Sequence, residues 1–285
     1  RIKEVKIIGA TNFDEDDILS RLDLKPTSFL SWWNKDDRYS RQVLTGDLEK
    51  IRSFYMNRGY LDFEIGNTTV SISETKKNVY IAIVIDEGDK YKFGDIKISG
   101  KFYPLKEESI FQNDIKTIKG EVFSRKLLNQ STESINQELG NYGYAFSNVN
   151  PIPDVDKTNL TVGFNYFIEP GKKVYVRRIS FIGNEKTQDK VLRRELRQFE
   201  SSYYDKEKID QSTRRLKRTQ YFEGVDIKTV SVPGISDQVD LTVSVKEKNT
   251  GSVKLGAGAS SDEGLVGSFS VTQANFLGTG NTVSA

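Results

Sequence analysis

Forty carboxylates, with no histidine and no cysteine among 285 residues, limit the chemistry open to this chain. Without imidazole or thiol there is no histidine-centred acid–base pair, no Ser-His or Cys-His nucleophile and no His/Cys zinc site. A glycosidase-type mechanism needs two carboxylates set apart from the rest, and the pattern sets none apart. The run Asp14-Glu15-Asp16-Asp17 lacks the ligand spacing of a calcium loop. It suits the first turn of a helix, where the helix dipole favours negative charge. No phosphate-cradling P-loop is present. No catalytic residue, cofactor or metal is therefore expected, and the chain reads as a binding protein. The polar residues with a suggestive spacing are Arg193, Arg197 and Glu200. At i, i+4 and i+7 they would form the outward stripe of a helix that buries Leu192, Leu196 and Phe199. They fall in residues 172–224, which carry 15 Lys and Arg against 8 Asp and Glu in a chain of net charge +2. Such a stripe is either a solvated helix face or a salt-bridging surface for a partner, and basic residues near a membrane suit anionic headgroups. A nucleic-acid binder would need a basic face with interleaved aromatics and would have no use for the barrel-like tail described below. Trp32 and Trp33 sit in a long connection, where they serve as an interface or as a loop anchor.

The elements that must position these residues repeat three times. Strand-like segments ending in glycine recur at Val5–Gly9, Ile96–Gly100 and Ile179–Gly183. A second landmark reads Asn57-Arg58-Gly59-Tyr60, then Asn141-Tyr142-Gly143-Tyr144, then Thr219-Gln220-Tyr221-Phe222. A third is a strand running into a Glu-containing turn, at Val79–Gly88, Leu160–Gly171 and Val239–Glu247. Between the first two landmarks the apolar period changes from 2 to 3.6. Leu44, Leu48, Ile51 and Tyr55 share one helix face, as do Leu128, Ile135, Leu139 and Tyr142, and more weakly Ile209, Thr213 and Leu216. A shorter helix is expected ahead of each, over 14–22, 105–115 and 187–199. Each unit thus reads β-α-α-β-β, an α+β module with a three-stranded sheet covered on one face by two helices. The expected domains are 1–89, 90–171 and 172–249.

A sheet of this kind leaves an edge strand with unpaired N–H and C=O groups. The second strand of each unit is expected there, over 61–72, 145–152 and 224–232. Phe63, Ile65 and Val70, and Val225, Ile227 and Val230, mark the two edges best suited to docking. In the middle unit Pro151 and Pro153 are expected to end pairing early. After Asn249 the composition changes. Residues 251–285 hold seven glycines and three charges, and Val253, Leu255, Ala257 and Ala259 alternate. Asp262-Glu263-Gly264 reads as a turn, and alternation resumes over 265–276. Two alternating strands of about ten residues are the signature of a hairpin from an outer-membrane β-barrel. The chain opens and stops in strand-like segments with no signal peptide ahead of Arg1, and it reads as a piece of a longer polypeptide.

Four stretches resemble the BamA family of outer-membrane assembly factors of Gram-negative bacteria. They are Gly46-Asp47-Leu48-Glu49 through Tyr60, Val191–Arg197, Val245–Gly251 and Asn275-Phe276-Leu277-Gly278-Thr279-Gly280. The resemblance covers nearly the whole chain. It implies the third, fourth and fifth POTRA domains of the family, with 250–285 as the first two barrel strands. It further implies a role in the cell outer membrane, with the POTRA domains in the periplasm. There they would bind unfolded barrel precursors and accessory lipoproteins by β-augmentation. Arg193, Arg197 and Glu200 would meet an accessory lipoprotein, and Val253, Leu255 and Ala257 would lie on the strand lining the barrel's lateral seam. A related POTRA-barrel transporter, of the translocation-and-assembly or two-partner-secretion type, is the alternative.

Overall fold

The computed structural model of the chain describes residues 1–26, 39–260 and 264–285, so Trp32, Trp33 and the turn at Asp262 and Glu263 lie outside the described residues. By its contacts the chain divides into two compact units.

The first unit comprises Arg1–Gly100, Lys106–Ile135 and Val149–Ile168. Its first sheet contains β1 (Ile2–Ile8), β2 (Glu64–Ile72) and β3 (Val79–Asp86) in the order β1-β3-β2. β1 runs parallel to β3, and β2 runs antiparallel to it. The period-2 pattern does the sorting. Val79, Ile81, Ile83 and Ile85 are buried, while the residues between them are exposed or half-buried. Over this face lies helix α2 (Arg41–Met56), which buries Leu44, Ile51, Phe54 and Tyr55, with Leu48 packed against the same core. The shorter helix α1 (Glu15–Leu19) buries Ile18. Asp47, only 1 % exposed, accepts from the backbone N–H groups of Asp23 and Leu24 at 2.9 and 2.8 Å and pairs with Lys50. It thereby fastens the chain after α1 to α2. The second sheet holds β4 (Lys92–Gly100), β5 (Asn148–Asp156) and β6 (Thr161–Glu169) in the order β4-β6-β5, again with a parallel first pair. Phe93, Phe123 and Phe164 pack ring to ring beneath it.

The second unit, Lys101–Leu105, Asn136–Asn148 and Glu169–Ala285, contains the third sheet. Here β7 (Tyr175–Ile182), β8 (Phe222–Val232) and β9 (Ile235–Glu247) take the order β7-β9-β8. Above them lie α5 (Asp189–Arg193) and α6 (Lys206–Arg218). A fourth sheet comes next, of β10 (Gly251–Ser260), β11 (Gly264–Gln273) and the short β12 (Val283–Ser284). The remaining helices are α3 (Glu107–Ser109), which runs into a π-turn at Ile110–Asp114, and the long α4 (Arg125–Asn141).

The glycine closing the first strand has one physical cause in all three repeats. Gly9, Gly100 and Gly183 have φ of +103°, +94° and +84°. A Cβ on any of them would overlap the backbone carbonyl of Ile85, Ile168 or Val245 on the parallel neighbour. Only glycine fits both the conformation and the approach.

Several expectations are corrected. The first helices are shorter than 14–22, 105–115 and 187–199. In the third repeat Leu192 and Leu196 are buried, but Phe199 is 61 % exposed. Past Arg193 the ladder is lost, with the Arg197 N–H donating to Ser212 Oγ at 2.7 Å. Buried Gln198 donates to Ser202 Oγ and the Tyr203 carbonyl and accepts from the Asp205 N–H, shaping 198–205 into a loop. Tyr142 is 44 % exposed because it lies just past the end of α4. β5 does not end early at its prolines and runs on to Asp156. Pro151 and Pro153 are two apart, so both missing N–H groups fall on one side of the strand. That side is the outer one, since β6 pairs along the other.

Candidate protein-interaction surfaces

The sheet of each repeat has two borders, formed by its first and second strands, and they are treated differently. Along β4 the chain covers its own border. The Phe93 N–H donates to the Glu121 carbonyl at 2.8 Å, and the Gly120 N–H donates to the Phe93 carbonyl at 2.8 Å. Along β7 the covering is fuller. The Ser201 N–H donates to the Val176 carbonyl at 2.7 Å, and the Val176 N–H to the Ser202 carbonyl at 2.9 Å. One step on, side chains take over. The Ile179 N–H donates to Glu200 Oε1 at 2.8 Å, and Arg193 Nη2 donates to the Ile179 carbonyl at 3.1 Å. Arg193 and Glu200 also face each other at 3.6 Å, and the Arg193 guanidinium lies over the Phe181 ring. As a pair 47 % and 41 % exposed they add little stability as charges. Their effect is to satisfy one residue of a border strand as a neighbouring strand would. Arg197 is not brought to this cluster. Its guanidinium donates to the Leu196 carbonyl at 2.9 Å, and its N–H donates to Ser212 Oγ. The sequence spacing linked three residues, and the fold joins two of them.

The second-strand borders are different. Among the described residues β2 and β8 each have one strand neighbour, so half of their main-chain groups face outward. The side chains singled out on them mostly face inward. Phe63 is 3 % exposed and stacks on Tyr55 at 4.4 Å, while Ile65 and Val70 pack against the core. Val225 is buried and Ile227 packs on the third-repeat core, but Val230 is 50 % exposed. A visiting strand would therefore meet backbone together with outward residues such as Thr69, Ser71, Asp226 and Lys228. β5 has the same place in its sheet but offers fewer donors, because of Pro151 and Pro153.

β10 and β11 form a regular antiparallel ladder from Gly251↔Gln273 to Ser260↔Gly264. One side sets Val253 opposite Val271 and Leu255 opposite Phe269. These side chains are 62 %, 40 %, 81 % and 66 % exposed, and Ala257 lies exposed in the same row. The other side carries Ser252, Lys254, Ser268, Ser270 and Thr272. An open apolar band backed by a small, polar face is the division found in barrel strands, where lipid lies outside and water inside.

The segment after β11 returns to the third repeat, a contact that the spacing of residues did not reveal. The Gln188 N–H donates to the Gly278 carbonyl at 3.0 Å, Asn275 Nδ2 donates to Thr187 Oγ1 at 2.8 Å, and the Tyr221 hydroxyl donates to the Gly280 carbonyl at 3.1 Å. Beneath this lies Glu247, whose carboxylate accepts from the N–H groups of Lys186 and Thr187. Burial pushes its pKa up, but the Thr187 and Lys186 donors outweigh burial and hold it below the usual glutamate range. The first repeat does the same with Glu87, which is 5 % exposed and accepts from the N–H groups of Thr11 and Asn12 and from the Tyr55 hydroxyl at 2.8 Å. Burial pushes Glu87 up, and the bonds from Thr11, Tyr55 and Asn12 bring it below its ordinary value. In the first and third repeats the glutamate of the third landmark is thus an anchor for the loop after the first strand, a role that needed the fold to become visible, while Glu169 of the second repeat is exposed.

Three β-α-α-β-β modules with this strand order define a POTRA array. The model of the POTRA family, described as "Surface antigen variable number repeat", matches residues 1–88, 91–171 and 174–248, and the chain belongs to that family. Within it the array is of the BamA kind. The outer membrane protein assembly factor BamA of Neisseria meningitidis serogroup B is 33 % identical over 100 % of this chain and 36 % of the relative. BamA of Buchnera aphidicola is also 33 % identical, over 99 % of this chain and 46 % of the relative. A solved structure of Haemophilus influenzae BamA POTRA3-5 superposes with a TM-score of 0.76 at 26 % identity, covering 86 % of this chain and 96 % of that one. BamA of Haemophilus ducreyi lacking POTRA domains 1-3 gives 0.58 at 34 % identity, covering 68 % and 36 %. The chain spans between about a third and a half of the length of the curated relatives it matches.

Proposed function

We propose that this chain is part of a periplasmic scaffold of the outer-membrane β-barrel assembly machinery, acting by binding and not by catalysis. Its modules would take up unfolded barrel precursors and accessory lipoproteins and hand the precursors to the membrane at the hairpin. The observation that carries the reading is the pair of second-strand borders, β2 and β8, each with one strand neighbour among the described residues. An extended client segment can add to such a border through main-chain hydrogen bonds, with little demand on its sequence. Each bond contributes only about 0.5–1.5 kcal/mol net, so contacts stay weak enough for handover. Arg193 and Glu200 at the β7 border, with Arg197 nearby, are proposed to meet an accessory lipoprotein. Val253, Leu255 and Ala257 are proposed to line the barrel's seam.

Photo-crosslinkers placed in cells at Thr69, Ser71, Asp226 and Lys228, with Asp154 and Asp156 on β5 as controls, test the reading in the intact protein. Adducts with precursors or lipoproteins are expected on β2 and β8 in excess of β5. Equal labelling of all three strands, or none on β2 and β8, would refute border docking.

A further inference from the structure

We propose that Asn57 and Asn141 are joint residues, each capping the second helix of the repeat that comes after its own. Asn57 ends the long helix of the first repeat, and its side-chain oxygen accepts from the Lys126 N–H at 2.8 Å. Lys126 is the second residue of α4, in the next repeat. Asn141 ends α4, and its side-chain oxygen accepts from the Glu207 N–H at 2.9 Å. Glu207 is the second residue of α6, in the third repeat. The first N–H groups of a helix have no partner within it, and a side-chain oxygen from elsewhere can take that place. Here it comes from the preceding repeat, across 69 residues in one case and 66 in the other.

The bond does not stand alone. Two residues after each asparagine, a glycine carbonyl accepts from the entry of the next repeat. The Tyr91 N–H donates to the Gly59 carbonyl at 2.8 Å, and the Val174 N–H donates to the Gly143 carbonyl at 3.0 Å. Those same residues then accept from the segment ahead of the capped helix. The Phe123 N–H donates to the Tyr91 carbonyl and the Tyr204 N–H to the Val174 carbonyl, both at 3.0 Å. One helix end thus holds both the entrance of the next repeat and the start of its long helix, and the same clasp occurs at both joints.

The third repeat supplies the contrast. The structure shifts the third copy of this landmark by one residue from its sequence alignment: Gln220, with φ +61°, takes the place that Gly59 and Gly143 hold, following buried Leu216 by four residues as they follow Tyr55 and Leu139. Counting back two residues puts Arg218 where the asparagines stand. A guanidinium has donors only and cannot accept from a helix N–H. Beyond the third repeat the chain enters the β10–β11 hairpin, and among the described residues it offers no further helix of this kind to cap. An asparagine two residues before the helix-ending glycine therefore marks a repeat that is clasped to another.

Residue-resolved amide exchange on the whole 285-residue chain tests this. Asn57→Ala is expected to speed exchange of the Lys126 amide by at least about fivefold, the scale of a lost N-cap, and to leave Glu207 unchanged. Asn141→Ala is expected to do the reverse. Asn57→Asp, which keeps the acceptor, is expected to restore Lys126 to within about twofold, and Arg218→Ala to leave both amides unchanged. Unaltered exchange at Lys126 in Asn57→Ala, or equal acceleration at Lys126 and Glu207, would overturn the proposal. So would failure of Asn57→Asp to restore protection in a folded chain.

Discussion

Substituting Gly278 by alanine separates the hairpin's anchor from the fold of the third repeat. Gly278 has φ +71°, a region that costs an L-residue about 1–2 kcal/mol. Its added Cβ would also lie inside the van der Waals envelope of the Lys186 carbonyl oxygen and against the Thr187 Cα. Neither neighbour is a flexible side-chain end, so 275–280 must leave its seat. Three hydrogen bonds leave with it, from Gln188, Asn275 and Tyr221. At about 1 kcal/mol net apiece they amount to about 3 kcal/mol, a shift on the order of a hundredfold in the docking equilibrium. The assay is amide exchange at Gln188, whose N–H has the Gly278 carbonyl as its acceptor. Gly278→Ala is expected to speed that exchange on the order of a hundredfold. Interior strand amides of β9 are expected to keep their rates, since the third-repeat core does not include the loop. Gln188 exchange within about twofold of the unsubstituted chain would refute the argument that this close approach holds the hairpin's return loop.

Acid weakens the first repeat through Glu87. Its pKa is lowered by folding, so its contribution is full above the ordinary glutamate value of about 4.3. That contribution is lost as pH falls through the lower folded value, and exchange of the Thr11 and Asn12 amides, corrected for intrinsic rate, is expected to rise over that window. Glu87→Ala leaves the Tyr55 hydroxyl, 0 % exposed, without its acceptor at a cost of about 1–3 kcal/mol. Adding Tyr55→Phe is expected to recover part of that loss, and strict additivity in denaturation of the first repeat would count against the pairing. Thr69 lies opposite Ala82, in step along β2 with Ser73, whose N–H donates to the Asn78 carbonyl at 2.9 Å, so the Thr69 N–H faces β3. Thr69→Pro removes that ladder bond and is expected to destabilise the first repeat by about 1 kcal/mol or more, whereas an unchanged midpoint in denaturant titration would refute this register. Leu255→Arg is expected to leave the melting of the repeats unchanged, because Leu255 is 81 % exposed. In the complete barrel it should cost up to about 2–4 kcal/mol if the residue faces lipid near the midplane, and unimpaired barrel stability would argue that it faces water.

Much of the architecture is local, and for that reason it is present in the sequence. The alternation of Val79, Ile81, Ile83 and Ile85, the 3.6-residue spacing of Leu44, Ile51 and Tyr55, and the strand-ending glycines each arise from steric and solvation rules that act within one element. The β10–β11 alternation is of the same kind. Tertiary structure decided the rest, because the groups concerned are satisfied only by partners far along the chain. The expected helix over 187–199 yields at Arg193, and beyond it the Arg197 N–H finds Ser212 Oγ and the Glu200 carboxylate finds the Ile179 N–H. That choice also separates Arg197 from Arg193 and Glu200. The prolines of β5 are tolerated because β6 lies on their other side, which a strand pattern alone does not specify. The asparagines of the second landmark were visible as a repeat, yet their purpose depends on a helix N–H group some 66 to 69 residues away. Periodicity reports which face of an element is buried; it carries no information about which distant main-chain group a side chain will meet, and at those meetings the borders, anchors and joints of this protein are made.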